Sequence, residues 1–301
     1  MRTPMHDDET LSDLPLARRL LAAQAPGWAD LPLTFVEHFG TDHDVYRLGA
    51  DMSLRLPRTA WAGAQAAKES TVLAAMASGL SVPVPEVLLL GEPTDEFPHP
   101  WSVQRWLPGA AATAAPFDGG ALAADLARFV RSLRSVPIAG APVRPPSARG
   151  GDLELHDQAV GERIDELGDR VDPETMARAW EESRSAVEPS GETWTHGDLL
   201  PGNLLLIEGR LTGVIDFGAL NVADPALDLT PCWYLFGGVG TPASQRYLAD
   251  LDATPDDLLR ARGWAQVQAL NALPYYWETN PGMVHLAATA LRHIADEVSL
   301  A

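Results

Sequence analysis

Hydrophobic and polar positions change rhythm along the chain, and the change near residue 109 divides it. Residues 11–26 carry Leu14, Leu16, Leu20 and Leu21 at spacings that suit a short amphipathic helix. Strand-like runs follow at Leu33–His38, Val45–Leu48 and Asp51–Leu56, the last stopped by Pro57. Phe39 to Asp44 holds turn-forming residues and reads as a hairpin tip. Residues 61–78 are alanine-rich and predict a helix. Pro83-Val84-Pro85 predicts an extended piece, Val87–Leu90 a buried strand, and Trp101–Leu107 another strand ended by Pro108-Gly109. Beyond Gly109 the pattern becomes helical. Ala110–Gly120 reads as a loop, Ala121–Leu133 as a helix, and Pro137–Gly151 as a long irregular crossing. Helices follow at Glu154–Leu167 and Pro173–Ser185, and a helical tail runs from Pro242, interrupted by Pro274 and Pro281. No internal repeat is present. The pattern predicts an α+β protein: a small N-terminal antiparallel-sheet lobe over 1–107 with one main helix, joined to a larger, mostly helical lobe over 108–301.

Composition narrows what such a protein can do. A hydrophobic fraction of 46% over 301 residues excludes a mainly disordered chain. No apolar run reaches the roughly 18 residues of a membrane helix. Cys232 is the single cysteine, which excludes an internal disulfide and a multi-thiolate metal site. The segment Met1–Asp13 is acidic and polar, unlike a secretory signal, so the cytoplasm is the expected compartment. The formal net charge of −19 argues against nucleic acid or an anionic membrane as partner and would attract a cationic small molecule. Lys68 is the only lysine; every other basic side chain of the Lys/Arg class is arginine.

The densest chemistry lies in Trp194–Gly218. Asp198 and Asn203 flank the turn Pro201-Gly202. Leu204–Ile207 and Leu211–Ile215 read as a hairpin closed by Glu208-Gly209-Arg210, with Asp216 just past its end. Such a hairpin draws Asn203 and Asp216 together. Both offer hard oxygen atoms, which suit Mg²⁺ rather than zinc. A third carboxylate, Asp198, lies one loop away. One carboxylate to take a proton and an Asn/Asp pair to hold metal is the pattern of phosphoryl transfer.

These residues resemble the aminoglycoside phosphotransferase family, bacterial antibiotic kinases with a protein-kinase-like two-lobe fold. The resemblance rests on His196-Gly197-Asp198 through Asn203, on Ile215-Asp216-Phe217-Gly218, on Asp224-Pro225-Ala226-Leu227-Asp228-Leu229, and on the hinge-like Trp101–Gly109. It runs from about residue 30 to the C-terminus. It implies that Asp198 is the catalytic base and that Asn203 and Asp216 bind Mg²⁺. It implies that His196 and Asp228 support the catalytic loop. Gly40, Thr41 and Asp42 would cover the phosphates, and the nucleobase of ATP or GTP would meet main-chain groups of Arg105 and Leu107.

Two positions depart from the usual kinase pattern. The phosphate-covering loop has one glycine, Gly40, and the third strand lacks the customary lysine. Strand alternation puts Leu54 and Leu56 on one face and Ser53 and Arg55 on the other, so Arg55 rather than Arg58 is the expected phosphate-holding cation. Helical spacing groups Glu69 with Leu73 and Met76 on an inward face and makes Glu69 the expected partner of Arg55. The aromatic residues Trp233, Trp264 and Trp277 read mostly as core or cleft wall, and the run Tyr275-Tyr276-Trp277-Glu278 reads as core packing, with the lining of a cationic substrate's site as the alternative. The expected activity is ATP- or GTP-dependent O-phosphorylation of a small-molecule hydroxyl, an aminoglycoside or related antibiotic. The alternatives are a macrolide, a peptide or nucleoside antibiotic, or a metabolite alcohol as acceptor, and, in a different class, a nucleotide-binding module without transfer activity.

Overall fold

The computed structural model describes residues 9–36 and 42–300. It divides into two compact units. The first comprises residues 1–78, 83–108 and 213–218; the second comprises 79–82, 109–212 and 219–301.

The first unit is built on five antiparallel strands: β1 (Leu33–Phe35), β2 (His43–Leu48), β3 (Met52–Pro57), β4 (Val87–Gly91) and β5 (Trp101–Arg105), in the order β1-β2-β3-β5-β4. The two faces of this sheet differ in chemistry. One presents Tyr46, Leu48, Met52, Leu54, Leu56, Trp101 and Val103, which form a core with Leu16, Ala17, Leu20 and Leu21 of helix α1 (Leu14–Gln24). Leu54 and Leu56 are fully buried, and each such side chain contributes about 1.5–3 kcal/mol on leaving water. Leu14, expected on the apolar stripe, is exposed, because the stripe is completed by Ala17 instead. Asp13 caps α1 by accepting the Leu16 N–H. The expected helix over 61–78 is α2 (Ala60–Lys68), continued by a π-turn at Glu69–Leu73 and one further turn at Ala74–Met76. Glu69, Leu73 and Met76 are buried, as their spacing requires. The strand expected to reach Leu107 ends at Arg105, where the Trp106 N–H turns to the Asp51 carbonyl.

The second unit is mostly helical. Its helices are α3 (Gly119–Arg134), α4 (Asp157–Leu167), α5 (Pro173–Arg184), α6 (Pro242–Asp250), α7 (Pro255–Tyr276) and α8 (Pro281–Leu300), with a single turn at Pro231–Tyr234. α7 packs against α4, α5 and α8, and α3 packs against α6. Pro274 does not interrupt the tail as expected. It lies in the last turn of α7, where one missing N–H costs little of the helix. Pro281 opens α8 at a position proline tolerates. Small strands complete the unit: β6 (Ala110–Ala111) lies beside β8 (Leu204–Ile207) in the order β6-β8-β9, where β9 is Arg210–Val214 and its last two residues are counted with the first unit, and β7 (Thr193–Thr195) pairs with β10 (Asn221–Ala223). Ala110–Gly120 is therefore not wholly loop: β6 occupies its start and α3 begins at Gly119. Trp233 and Trp264 are fully buried, but Trp277 and Tyr275 are each 41% exposed and are not core. Arg170 stacks 4.3 Å over the Trp277 ring.

Candidate active site

In the first unit, the sheet face opposite the core carries a buried polar row. Register sets Val45 and Ser102 beside Arg55, and Gln104 beside Ser53. Arg55 is 7% and Glu69 3% exposed, and Arg55 Nη1 lies 3.9 Å from Glu69 Oε1. That separation is bridged by Gln104, whose Nε2 donates to Glu69 Oε2 at 2.7 Å and whose Oε1 accepts from Arg55 Nη1 at 3.4 Å. Arg55 Nη2 lies 3.3 Å from His43 Nδ1. Burial, and then the charges of Arg55 and Arg58, hold His43 well below its ordinary value, so it is neutral near pH 7. Arg55 Nε and Glu69 Oε1 are buried without hydrogen-bond partners. A buried donor left over in this way is available to an anion. Arg58 is spent elsewhere, on a buried ion pair with Asp44 at 3.0 Å.

The expected phosphate-covering residues Gly40 and Thr41 lie outside the described residues. Asp42 is described; its carbonyl accepts the Arg58 N–H at 2.8 Å. At the end of β5, Arg105 directs its side chain to Glu86 and Asp51, and Leu107 follows outside the strand. The sole lysine, Lys68, donates from Nζ to the Gly218 carbonyl at 3.1 Å, and so touches the Asp216-Phe217-Gly218 segment rather than Arg55's row. Asp216 adopts φ 65°, a conformation costly for a residue with a Cβ and concentrated at functional positions. Among the described residues its carboxylate has no hydrogen-bond partner.

In the second unit, the segment from His196 to Asn203 is fixed mainly by backbone contacts. The fully buried Asp228 accepts the N–H groups of His196 and Gly197, both at 2.9 Å. Burial raises the Asp228 carboxyl, and the attraction of His196 and the two N–H bonds works against that. Tyr247 anchors the Asp228 carbonyl at 2.6 Å. Gly197 sits at φ 77°, and a Cβ there would stand 3.1 Å from the Ala219 carbonyl oxygen, so the position requires glycine. His196 is fully buried and its Nδ1 accepts the Asp198 N–H at 3.2 Å. Asn203 Nδ2 donates to the Asp198 carbonyl at 2.9 Å and to its Oδ2 at 3.1 Å. With its nitrogen so engaged, Asn203 keeps Oδ1 as a free ligand oxygen. No group of three His, Cys, Asp or Glu side chains forms a metal cage among the described residues. Asn203 in the second unit and Asp216 in the first each keep an oxygen without a hydrogen-bond partner among the described residues, of the hard kind that Mg²⁺ takes.

Four contributors were not found by sequence reasoning. Gln104 lies within the hinge-like motif, but only register shows it between Arg55 and Glu69. His43 was placed in a turn and instead begins β2. Gln268 donates to the Gly197 carbonyl at 3.3 Å from a helix 71 residues away in sequence. Arg149 lies in the irregular 137–151 crossing, and its Nη1 is 2.6 Å from Asp198 Oδ1 and 3.3 Å from the Gly197 carbonyl. An arginine in a Pro/Gly-rich stretch carries no periodic signal to mark it.

A family model described as a phosphotransferase enzyme family matches residues 38–270. An aminoglycoside 3'-phosphotransferase of Escherichia coli is 28% identical over 156 residues, covering 49% of this chain and 56% of that protein. The chain spans about half the length of the curated relatives it matches, from 41% to 56%. Among solved structures, the GDP complex of an aminoglycoside 2'-phosphotransferase superposes with a TM-score of 0.74 at 17% identity, covering 95% of this chain and 99% of that one. A macrolide 2'-phosphotransferase from Brachybacterium faecium gives 0.62 at 25% identity, covering 93% and 97%. The fold is that of these enzymes, and because the family match runs through both units, the chain belongs to the phosphotransferase enzyme family.

Proposed function

We propose that this protein is an ATP- or GTP-dependent O-phosphotransferase that phosphorylates a hydroxyl of a small molecule, an aminoglycoside or a related antibiotic. The observation that carries the reading is the state of Asp198. Asn203 steadies one of its carboxylate oxygens, and buried Asp228 fixes the backbone just before it. An oriented carboxylate of this kind can take the proton of an attacking hydroxyl. The acceptor oxygen forms a bond to the γ-phosphorus, the bond from that phosphorus to the β–γ bridging oxygen breaks, the proton passes to Asp198, and the nucleoside diphosphate leaves. Positioning and charge neutralisation supply most of the acceleration.

In this reading Asn203 and Asp216 hold Mg²⁺, which would neutralise phosphate charge, while Arg55, held by Glu69 and Gln104, binds the nonbridging oxygens of the other phosphates. Gly40, Thr41 and Asp42 cover the phosphates, and the main chain of Arg105 and Leu107 meets the base. His196 and Asp228 keep the catalytic loop in shape. The relatives' names favour an aminoglycoside, and the net charge of −19 suits a polycation. The macrolide reading is favoured by one observation, the 25% identity to the macrolide enzyme along nearly its whole length. A module that only binds nucleotide is disfavoured by the intact set Asp198, Asn203 and Asp216. Neither nucleic acid nor a membrane is proposed as partner; among the described residues no helix is long and apolar enough to cross a membrane. The cytoplasm is proposed as the compartment, on the single buried cysteine.

The test is a panel of aminoglycosides, macrolides, other antibiotics and metabolite alcohols, each incubated with ATP or GTP and Mg²⁺ and read by mass spectrometry. A product one phosphoryl group heavier is expected with an aminoglycoside. Nucleotide binding without transfer to any acceptor would overturn the reading in favour of the inactive module.

A further inference from the structure

We propose that Arg149 is a catalytic residue that neutralises the phosphoryl group in flight, an arginine finger carried within the chain. The inference rests on the phosphotransferase reading above and adds to it a residue from outside the motifs that led there. Three observations carry it.

The first is the hydrogen-bond inventory of the guanidinium. Among the described residues both hydrogen bonds of Arg149 use Nη1, one to Asp198 Oδ1 at 2.6 Å and one to the Gly197 carbonyl at 3.3 Å. Guanidinium has five N–H donors. Among the described residues the three on Nε and Nη2 have no protein partner, and these form the edge that matches two phosphate oxygens. The side chain is 46% exposed, so this edge is open to a ligand. Burial draws the guanidinium down, but the charge and hydrogen bond of Asp198 more than offset it, and Arg149 is held cationic.

The second is that the loop delivering Arg149 is tightly built. Gly150, at φ 79°, has no room for a Cβ, which would lie 2.5 Å from Ala223 Cβ. Its carbonyl accepts the Asp224 N–H at 3.0 Å. Arg144 ties the start of the loop to the Val222 carbonyl and to Glu192. Ala223 belongs to β10, and β10 pairs with β7, the strand that leads into His196-Gly197-Asp198. One pair of strands thus fixes the backbone on both sides of the 2.6 Å contact between the proposed base and the arginine.

The third is need. Transfer of a phosphoryl group spreads negative charge over its equatorial oxygens, and a carboxylate acting as base adds another negative charge beside them. The segment His196–Asn203 contains no lysine or arginine of its own. Arg149 supplies the missing cation: one edge balances Asp198, and the other meets the phosphoryl oxygens.

The experiment compares wild type with Arg149→Ala, Arg149→Lys and Arg149→Met. It measures transfer to the acceptor found above, nucleotide hydrolysis, and affinity for ADP alone and for ADP with Mg²⁺ and aluminium fluoride, which mimics the group in transfer. Arg149→Ala should lower kcat by about 10³-fold, the lower end of the arginine-finger range, with ADP affinity within threefold of wild type. Its preference for the aluminium fluoride complex over ADP should be lost. Lysine should retain part of the activity, methionine none, and millimolar guanidinium should partly restore Arg149→Ala without accelerating wild type. Melting temperatures within a few degrees would separate these effects from misfolding. Variants as fast as wild type, or faster because a blocking ion pair has gone, would overturn the inference while leaving the phosphotransferase reading intact. A folded wild type that neither transfers, hydrolyses nor favours the aluminium fluoride complex would overturn both.

Discussion

Arg55 and Arg149 illustrate two ways of keeping an arginine beside a carboxylate. Arg55 is enclosed in the first unit, 7% exposed, 3.9 Å from Glu69 with Gln104 spanning the gap. Arg149, in the second unit, is 46% exposed and reaches Asp198 directly at 2.6 Å. A buried guanidinium must be matched continuously, because desolvation of an unpaired charge costs several kcal/mol. Three side chains from one helix and two strands therefore hold Arg55 still. A half-exposed guanidinium is hydrated when unoccupied, so it can wait for charge that develops only during a reaction. On the proposed function, the difference suits Arg55 to charge that is constant, such as the phosphates of a bound nucleotide, and Arg149 to charge that changes.

The largest effect is expected from the two residues proposed to hold Mg²⁺. Asn203→Ala and Asp216→Ala should each reduce kcat/KM by at least about 10²-fold, and calorimetry should show nucleotide affinity becoming indifferent to EDTA. Affinity that is EDTA-insensitive in wild type as well would show that the two residues hold no metal. Next come Arg55→Ala and Arg58→Ala, which should fail differently. Arg55→Ala should lose about 10- to 100-fold in kcat/KM for nucleotide, with some activity returned by lysine. Arg58→Ala breaks the buried pair with Asp44 and should cost about 3 kcal/mol of stability, measured by urea unfolding, while nucleotide kinetics stay close to wild type. The reverse pattern would mean that the polar face of β3 has been assigned to the wrong arginine.

A smaller effect sharpens the first half of the comparison. Gln104→Leu removes the bridge and leaves Glu69 Oε2 without its donor, which should lower nucleotide affinity by about tenfold, the scale of one hydrogen bond to a charged group. Unchanged affinity would reduce Gln104 to packing. The smallest effect is a pH dependence far from either arginine. Arg210's hydrogen bonds lead in holding the Asp125 carboxyl below the ordinary aspartate range, with burial working against them. A depressed carboxylate contributes stability that is full above its unfolded value and is lost as pH falls through the lower folded one. The melting temperature should therefore fall below roughly pH 4, and Asp125→Asn should be less stable at pH 7 and flatter on the acid side. A variant with an unchanged acid limb would remove Asp125 from the account.

What could be read from the sequence follows from how each part is held. Arg55 was legible because strand alternation separates Leu54 and Leu56 from Ser53 and Arg55, and the structure buries the leucines in the core. Glu69 was legible from its helical spacing to Leu73 and Met76, although the π-turn that begins at Glu69 was not. Asp198, Asn203 and Asp216 were legible as a spaced motif, but the left-handed backbone of Asp216 leaves no trace in composition. Whether Trp277 sits in the core or on a wall was not legible, because aromatic character says nothing of which side of a helix end faces water. Arg149 was illegible because it is placed by the packing of Gly150 on Ala223 and by one backbone bond from Asp224, just past β10, and neither has a period.

Asp198 is the residue proposed to take the proton from an acceptor hydroxyl. Asp198→Asn keeps the shape of the side chain and removes its basicity, so the decisive measurement is single-turnover transfer from ATP or GTP in this variant, with nucleotide affinity measured alongside. The expected result is nucleotide affinity within about threefold of wild type and a transfer rate lower by about 10²-fold or more, the range for removal of a general base. Transfer at the wild-type rate would contradict it.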